Sequence, residues 1–184
     1  MYVAQQLAGL LDEENQKLLH RFNITRNVSV DLSNVNLSGE DWPKIDFSWM
    51  DGAYLYGIDL RDARLTDSKW GNATLTAASL QCADLANGKF NKLNKDNKLI
   101  SATLRGAHLQ HANLQNADLR SVDLTDADLT GAYIDGARFD GAQLTGAVTN
   151  GVVGTSVGDG RLPQGEPKRQ EFDVQMCKKN KWDQ

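Results

Sequence analysis

The chain has 184 residues, 40% hydrophobic and only 7% aromatic, which suits one domain with short appendages and excludes a thick conventional core. Its formal net charge of −4 argues against direct nucleic-acid binding, which would call for a basic stripe. No stretch approaches a membrane span, and Met1 to Gln6 lacks the basic region and apolar run of a signal peptide, so the expected compartment is the cytoplasm. Cys82 and Cys177 form no C-x-x-C pair and read as free thiols of that reducing compartment.

Residues 1–27 are expected to form a short α-helical cap, with a docking helix for a partner as the alternative. Val3, Leu7, Leu10, Leu11, Leu18, Leu19 and Phe22 recur at helical intervals, with a second start at Asp12-Glu13-Glu14. From Val28 a period of five begins. Val30-Asp31-Leu32, Val35-Asn36-Leu37 and Ile45-Asp46-Phe47 are in phase, but Ala53-Tyr54-Leu55 comes eight residues after the last of these, so about three extra residues lie near Ser48 to Asp51. Trp42, Pro43, Trp49 and Met50 cluster at this slip. They either plug a widened first coil or make an exposed aromatic patch, with Trp42 and Trp49 as its candidate partner-binding residues.

A regular tract runs from Ala53 to Phe90, with Trp70 unusually large on the apolar column and Ser68 small beside it. The phase slips again in Asn91 to Lys98. If Leu99 resumes the column, four extra residues project as a loop, and Lys89, Lys92, Lys95 and Lys98 make it the most basic spot in the chain. A loop on a rigid rod is either tolerated surface or the seat of specificity, and Lys92, Lys95 and Lys98 are its candidate contacts.

Between Ser101 and Ala147 the rhythm is unbroken. Leu104, Leu109, Leu114, Leu119, Leu124, Leu129, Ile134, Phe139 and Leu144 fall every fifth residue, each with Ala or Val two positions earlier. On an α-helix such a step smears the leucines around the circumference, and on a continuous strand it alternates faces. The backbone must therefore bend once per repeat. The corners fall at pairs such as Thr130-Gly131 and Asp140-Gly141, which are turn formers. Bends of roughly 90° close a square coil every four repeats, and coils stack about 4.8 Å apart. No repeat buries its own leucine, so the unit exists only as an array.

The pattern A-(D/N)-L-x-x, complete in Asn116-Ala117-Asp118-Leu119-Arg120 and Asp126-Ala127-Asp128-Leu129-Thr130, resembles the pentapeptide-repeat family. The resemblance covers roughly Val28 to Asn150 and implies an all-β solenoid, a right-handed four-sided β-helix over 28–150, between the cap and a polar tail at 151–184. It says little of function. Family members include DNA-gyrase protectors that imitate duplex DNA, bacterial effectors, and cyanobacterial and thylakoid proteins. Projecting loops carry function in the gyrase-protecting branch.

No catalytic motif survives comparison with the repeat. His108 falls on an outward position and His111 on a corner, so they need not converge on a metal, and the aspartates belong to the repeat. No cofactor is expected. Residues twenty apart should stack, which places Asp118 under Arg138, Arg120 under Asp140 and Arg64 beside Asp84, avoiding like charges. Asp123, Asp126, Asp128 and Asp135 find no basic mate in this scheme, and the first three are candidate partner-binding residues on an acidic patch.

The expected function is a non-enzymatic rod for protein–protein contact. A DNA mimic acting on a topoisomerase and a host-directed bacterial effector are the alternatives. The polar tail reads as a flexible segment, or else Phe172, Val174, Met176 and Trp182 fold back over the last coil or join a second copy there, giving a homodimer.

Overall fold

The computed structural model describes residues 32–34, 36–39 and 54–159. The expected helical cap at 1–27, the Trp42 and Trp49 cluster and the tail beyond Asp159 lie outside them. Among the described residues there is no helix.

Each repeat turns its corner the same way. Leu55 O accepts from Ile58 N at 3.2 Å, and Gly57 between them has φ +61°. A positive φ at the third turn residue suits Gly, Asn and Asp. Asp62, Asp67, Asn87, Asn116 and Asp126 occupy that corner on other repeats, as do, less comfortably, Ala77, Cys82, His111 and Ser121.

The corners wind the chain into four faces joined by parallel bridges between coils. Face A carries Tyr54, Thr74, Thr103, Asp123 and Gln143 as its outward residues. Face B carries Asn36, Asp59, Ser79, His108, Asp128 and Val148; face C, Arg64, Asp84, Asn113, Tyr133 and Val153; face D, Lys69, Lys89, Asp118, Arg138 and Val157. Most bridged partners are twenty residues apart, the spacing of a four-repeat coil. Asn36 pairs with Asp59, twenty-three residues on, which agrees with three extra residues in the first slip.

The repeat Ala127–Gly131 shows what each position contributes. Ala127 N donates to Leu124 O across the corner, Asp128 N to Ala107 O in the preceding coil, and Leu129 N and Gly131 N to Val148 O and Asn150 O in the next. The remaining amide, Thr130 N, donates to Asp128 Oδ1 at 2.9 Å. Every backbone N–H of the repeat is thus satisfied, and the Asp/Asn column supplies the one acceptor that the backbone lacks. The same bond recurs from Ser38, Arg61, Ala86, Gln115, Arg120 and Thr125.

The axis is filled by the two apolar columns. Leu55, Leu80, Leu104, Leu109, Leu114 and Leu129 are fully buried, each worth about 2 kcal/mol of burial by area. Face D carries the large rings. Trp70 and Phe90 stack with centroids 5.7 Å apart and planes 8° from parallel. Ser68, as small as expected, also accepts a hydrogen bond from Trp70 Nε1 at 2.8 Å.

The second slip differs from expectation. Leu99 does not resume the column; Leu104 does, and Thr74 pairs with Thr103, twenty-nine residues on, so nine residues are inserted. They form an antiparallel hairpin, β1 (Asn91–Leu93) and β2 (Leu99–Ser101), with Lys92 opposite Ile100. Two strands pairing with each other satisfy backbone groups that a bare four-residue bulge would leave to solvent. The hairpin leaves the rod at the corner between faces D and A. At the other end the pairing continues past Asn150, through Tyr133 with Val153 and Arg138 with Val157.

Candidate functional site

Hairpin and acidic patch stand on the two edges of face A. Lys95 and Lys98 are exposed at the hairpin tip and Lys92 lies on β1. The tip is fixed by Asn94, whose Oδ1 accepts from Asp96 N and Lys98 N, both at 2.9 Å. Beside it on face D, Lys69 pairs with Lys89, so the basic region extends down that face. This overturns the expectation that stacking avoids like charges. Lys69 was missed, although its spacing of twenty from Lys89 was readable.

On the opposite edge, Asp123 belongs to face A, Asp126 to the corner and Asp128 to face B. Asp123 does have a basic mate, contrary to expectation: Arg105 Nη1 lies 3.4 Å from its Oδ2. Arg105 sits one coil back and one position past its own leucine, eighteen residues away, an offset that twenty-residue stacking does not cover. Burial pushes the Asp123 carboxyl up, but hydrogen bonds from Thr125 and the Arg105 charge hold it below the usual range. Asp128 is likewise lowered: bonds from Thr130 and from Gln110 Nε2 at 2.7 Å outweigh burial. Both aspartates are occupied structurally, which leaves Asp126 as the exposed acid of the three.

The arginine ladder is built sideways. Asp118 and Arg138 stack as expected. The ion pairs, however, form within each coil: Arg120 Nη2 lies 2.6 Å from Asp118 Oδ2 and Arg138 Nε 3.2 Å from Asp140 Oδ2. Arg120 also donates from Nε to Asp118 Oδ1 at 2.8 Å, a two-point grip that vertical stacking does not offer. Burial raises the Asp118 carboxyl, but the bonds from Arg120 and Asn91 outweigh it. Asp84 goes the other way. Half-buried on face C, it is raised by burial despite bonds from Ala86 N and Asn113 Nδ2 and the nearby Arg64.

Aromatic exposure supplies what charge reasoning missed. Tyr54 on face A and Tyr56 on its corner with face B are 53% and 52% exposed, and Leu93 on β1 is 62% exposed. Column assignment alone places both tyrosines outside the core, a signal present in the sequence. Face A thus holds an aromatic end, a threonine pair at Thr74 and Thr103, a basic projecting edge and an acidic corner. Of the histidines, His108 is exposed on face B and His111 lies on the corner between B and C; among the described residues no three His, Cys, Asp or Glu side chains group as metal ligands.

One expectation about the cysteines is corrected. Cys82 is disulfide-bonded, not a free thiol. The reducing compartment inferred from free thiols loses that support.

Comparison with known proteins agrees with the geometry. The profile of pentapeptide repeats matches eight copies, over residues 58–92, 98–133 and 112–151. The chain belongs to the pentapeptide-repeat family. No curated protein matches the sequence significantly. Among solved structures, the repeat protein Rfr23 from the cyanobacterium Cyanothece 51142 is 26% identical, over 73% of this chain and 90% of its own, with a TM-score of 0.47. A thylakoid-lumen repeat protein of Arabidopsis thaliana is 28% identical over 65% of each chain, with a TM-score of 0.27. QnrB1, a plasmid-mediated fluoroquinolone resistance protein, is 20% identical over 71% of this chain and 67% of its own, with a TM-score of 0.40.

Proposed function

We propose that this pentapeptide-repeat rod is a non-enzymatic binding protein whose partner is another protein, met on face A between the hairpin and the acidic corner. The observation that carries this reading is the exposure of Tyr54, Tyr56 and Leu93 on and beside that face. Large apolar groups exposed on and at the edges of one face, among charged residues, suit a protein interface, where tyrosines anchor and charges set register. Lys92, Lys95 and Lys98 would meet acidic groups of the partner, and Asp126 a basic one. A duplex-DNA mimic is less well supported, because none of the four outward columns is acidic throughout and face D stacks Lys69 on Lys89.

The test is affinity capture from the native host with the full chain, repeated with Tyr54→Ala/Tyr56→Ala and with Lys95→Glu/Lys98→Glu. Loss of one and the same partner in both variants, with the circular dichroism unchanged, supports the reading. Full retention by both variants rejects it.

A further inference from the structure

The projecting hairpin carries a strand edge that the rod does not close. β1 and β2 pair with Asn91 opposite Ser101, Lys92 opposite Ile100 and Leu93 opposite Leu99. Along an antiparallel ladder, opposed residues alternate between pairs that exchange backbone bonds and pairs that do not. Asn94 N donates to Lys98 O and Ala102 N to Phe90 O, which fixes the phase: Phe90, Lys92 and Asn94 are the bonded positions of β1 and its flanks. The N–H and C=O groups of Asn91 and Leu93 therefore point away from β2, and those of Leu99 and Ser101 away from β1. Among the described residues none of these groups has a backbone partner.

The free edge of β1 looks back along the rod. Phe90 N donates to Asp118 O in the following coil, and Phe90 O accepts from Ala102 N, so β2 lies on that side of β1. Lys89 O accepts from Trp70 N in the preceding coil, and Asn91 and Leu93 present their groups in the same direction as Lys89. The coil they face is the one that carries Tyr54 on face A. Exposed sheet edges of this kind accept a further strand.

Alternation along β1 sets what that strand must carry. Leu93, 62% exposed, shares its side of the strand with Lys89, whereas Lys92 takes the side of Phe90, toward face A. An incoming strand sets an apolar residue against Leu93 and an acid against Lys92, and the exposed Lys95 and Lys98 at the tip favour further negative charge. A second copy is a poor occupant, because joining two hairpins brings their lysines together. We propose that the outer edge of β1 is a strand-addition site, and that its occupant is an extended segment of the partner protein in which acidic and apolar residues alternate. The proposal rests on the reading of face A and its hairpin as a protein-binding surface, and adds how the partner's backbone is held.

The test uses the full chain and a labelled synthetic peptide of alternating Glu and Val, with alternating Lys and Val as its counterpart. Fluorescence anisotropy at low salt should show saturable binding of the Glu peptide and about tenfold weaker binding of the Lys peptide. Amide exchange followed by nuclear magnetic resonance should find Asn91 and Leu93 fast in the free chain and slowed about tenfold by the Glu peptide, with Leu99 and Ser101 unchanged. Leu93→Pro removes a donor from the open edge without touching a ladder bond, and should weaken the Glu peptide about tenfold. Leu93→Val keeps that donor and Leu99→Pro removes one from the opposite edge, so both should stay within about threefold of the wild type, with circular dichroism unchanged in every variant. No binding of the Glu peptide, equal binding of the two peptides, exchange slowed at Leu99 and Ser101 instead, or full affinity in Leu93→Pro would each overturn the proposal. Host capture repeated with Leu93→Pro separates the two readings: a partner kept by Leu93→Pro but lost by Tyr54→Ala/Tyr56→Ala removes the edge and leaves face A standing.

Discussion

Gly88 is the position where repeat logic and structure give opposite answers. It stands on the small column, where alanine is the rule, so Gly88→Ala looks like a move toward the repeat pattern. Removing a glycine from the unfolded ensemble would by itself stabilise the protein by about 0.4–1 kcal/mol. The backbone offers no objection, since φ there is not positive. Packing does. A Cβ at Gly88 would sit 2.9 Å from the Leu85 carbonyl oxygen and 3.0 Å from Phe90 Cε2. Phe90 cannot retreat without disturbing its stack on fully buried Trp70. Overpacking of this kind costs about 1–3 kcal/mol, so the net expectation is a loss of about 1–2 kcal/mol. For a chain of this size the melting temperature should fall by about 3–6 °C. Phe90→Leu, which restores the ordinary column residue, should remove the ring's share of the penalty that Gly88→Ala incurs and leave the approach to the Leu85 carbonyl, a coupling that a double-mutant cycle reads directly. If Gly88→Ala melts at or above the wild-type temperature, the claim that ring size dictates the small column on face D is wrong.

Four further outcomes follow from the same contacts. Asp128→Ala removes the acceptor for Thr130 N and should cost about 1 kcal/mol in chemical denaturation, whereas Asp128→Asn keeps the acceptor and most of the stability. Ser68→Ala withdraws the acceptor from the buried Trp70 indole and should cost about 1–2 kcal/mol, with a changed tryptophan emission. Asp84 has its folded pKa raised above the 3.8 reference, so the native state holds more protons just above that pH and stability falls as pH rises through the folded value. Asp84→Asn should therefore stabilise the protein at pH 7 and flatten that part of the pH profile; equal or lower stability at pH 7 would contradict it. Deleting Leu93–Ser101 leaves Asn91-Lys92 as an ordinary corner before Ala102, and with Lys92→Gly to suit a positive φ the rod should keep its far-ultraviolet spectrum and cooperative melt. Collapse of that spectrum would show that the hairpin is part of the fold and not an insertion.

The hydrogen-bond accounting explains why so much of the fold was readable. In Ala127–Gly131 each amide has a partner fixed by its place in the five, so the sequence pattern is itself a list of tertiary contacts. Asp118 over Arg138 could be placed by counting, because stacking repeats at twenty. Counting also gave the three-residue slip before Tyr54. It failed where two residues competed for one role: both Leu99 and Leu104 suit the large column, and only pairing of β1 with β2 decides that the rod resumes at Leu104. It failed again for Arg105, because a long side chain reaches a neighbouring coil at an offset of eighteen.

The candidate surface was legible only in part. The lysines and aspartates were named from charge, but their division between two edges of one face depends on the corner at which the hairpin leaves the rod. By itself, the sequence determined the coil, its core and the orientation of nearly every repeat residue, because a chain that bends at a fixed interval meets only its own neighbours at a fixed offset. The tertiary structure alone decided that the cation at Arg120 grips Asp118 within its coil, that Ser68 serves the Trp70 indole, and that Tyr133 is covered while Tyr54 is open. Those outcomes depend on side-chain reach and on contacts between segments distant in sequence, for which no periodic pattern carries a signal.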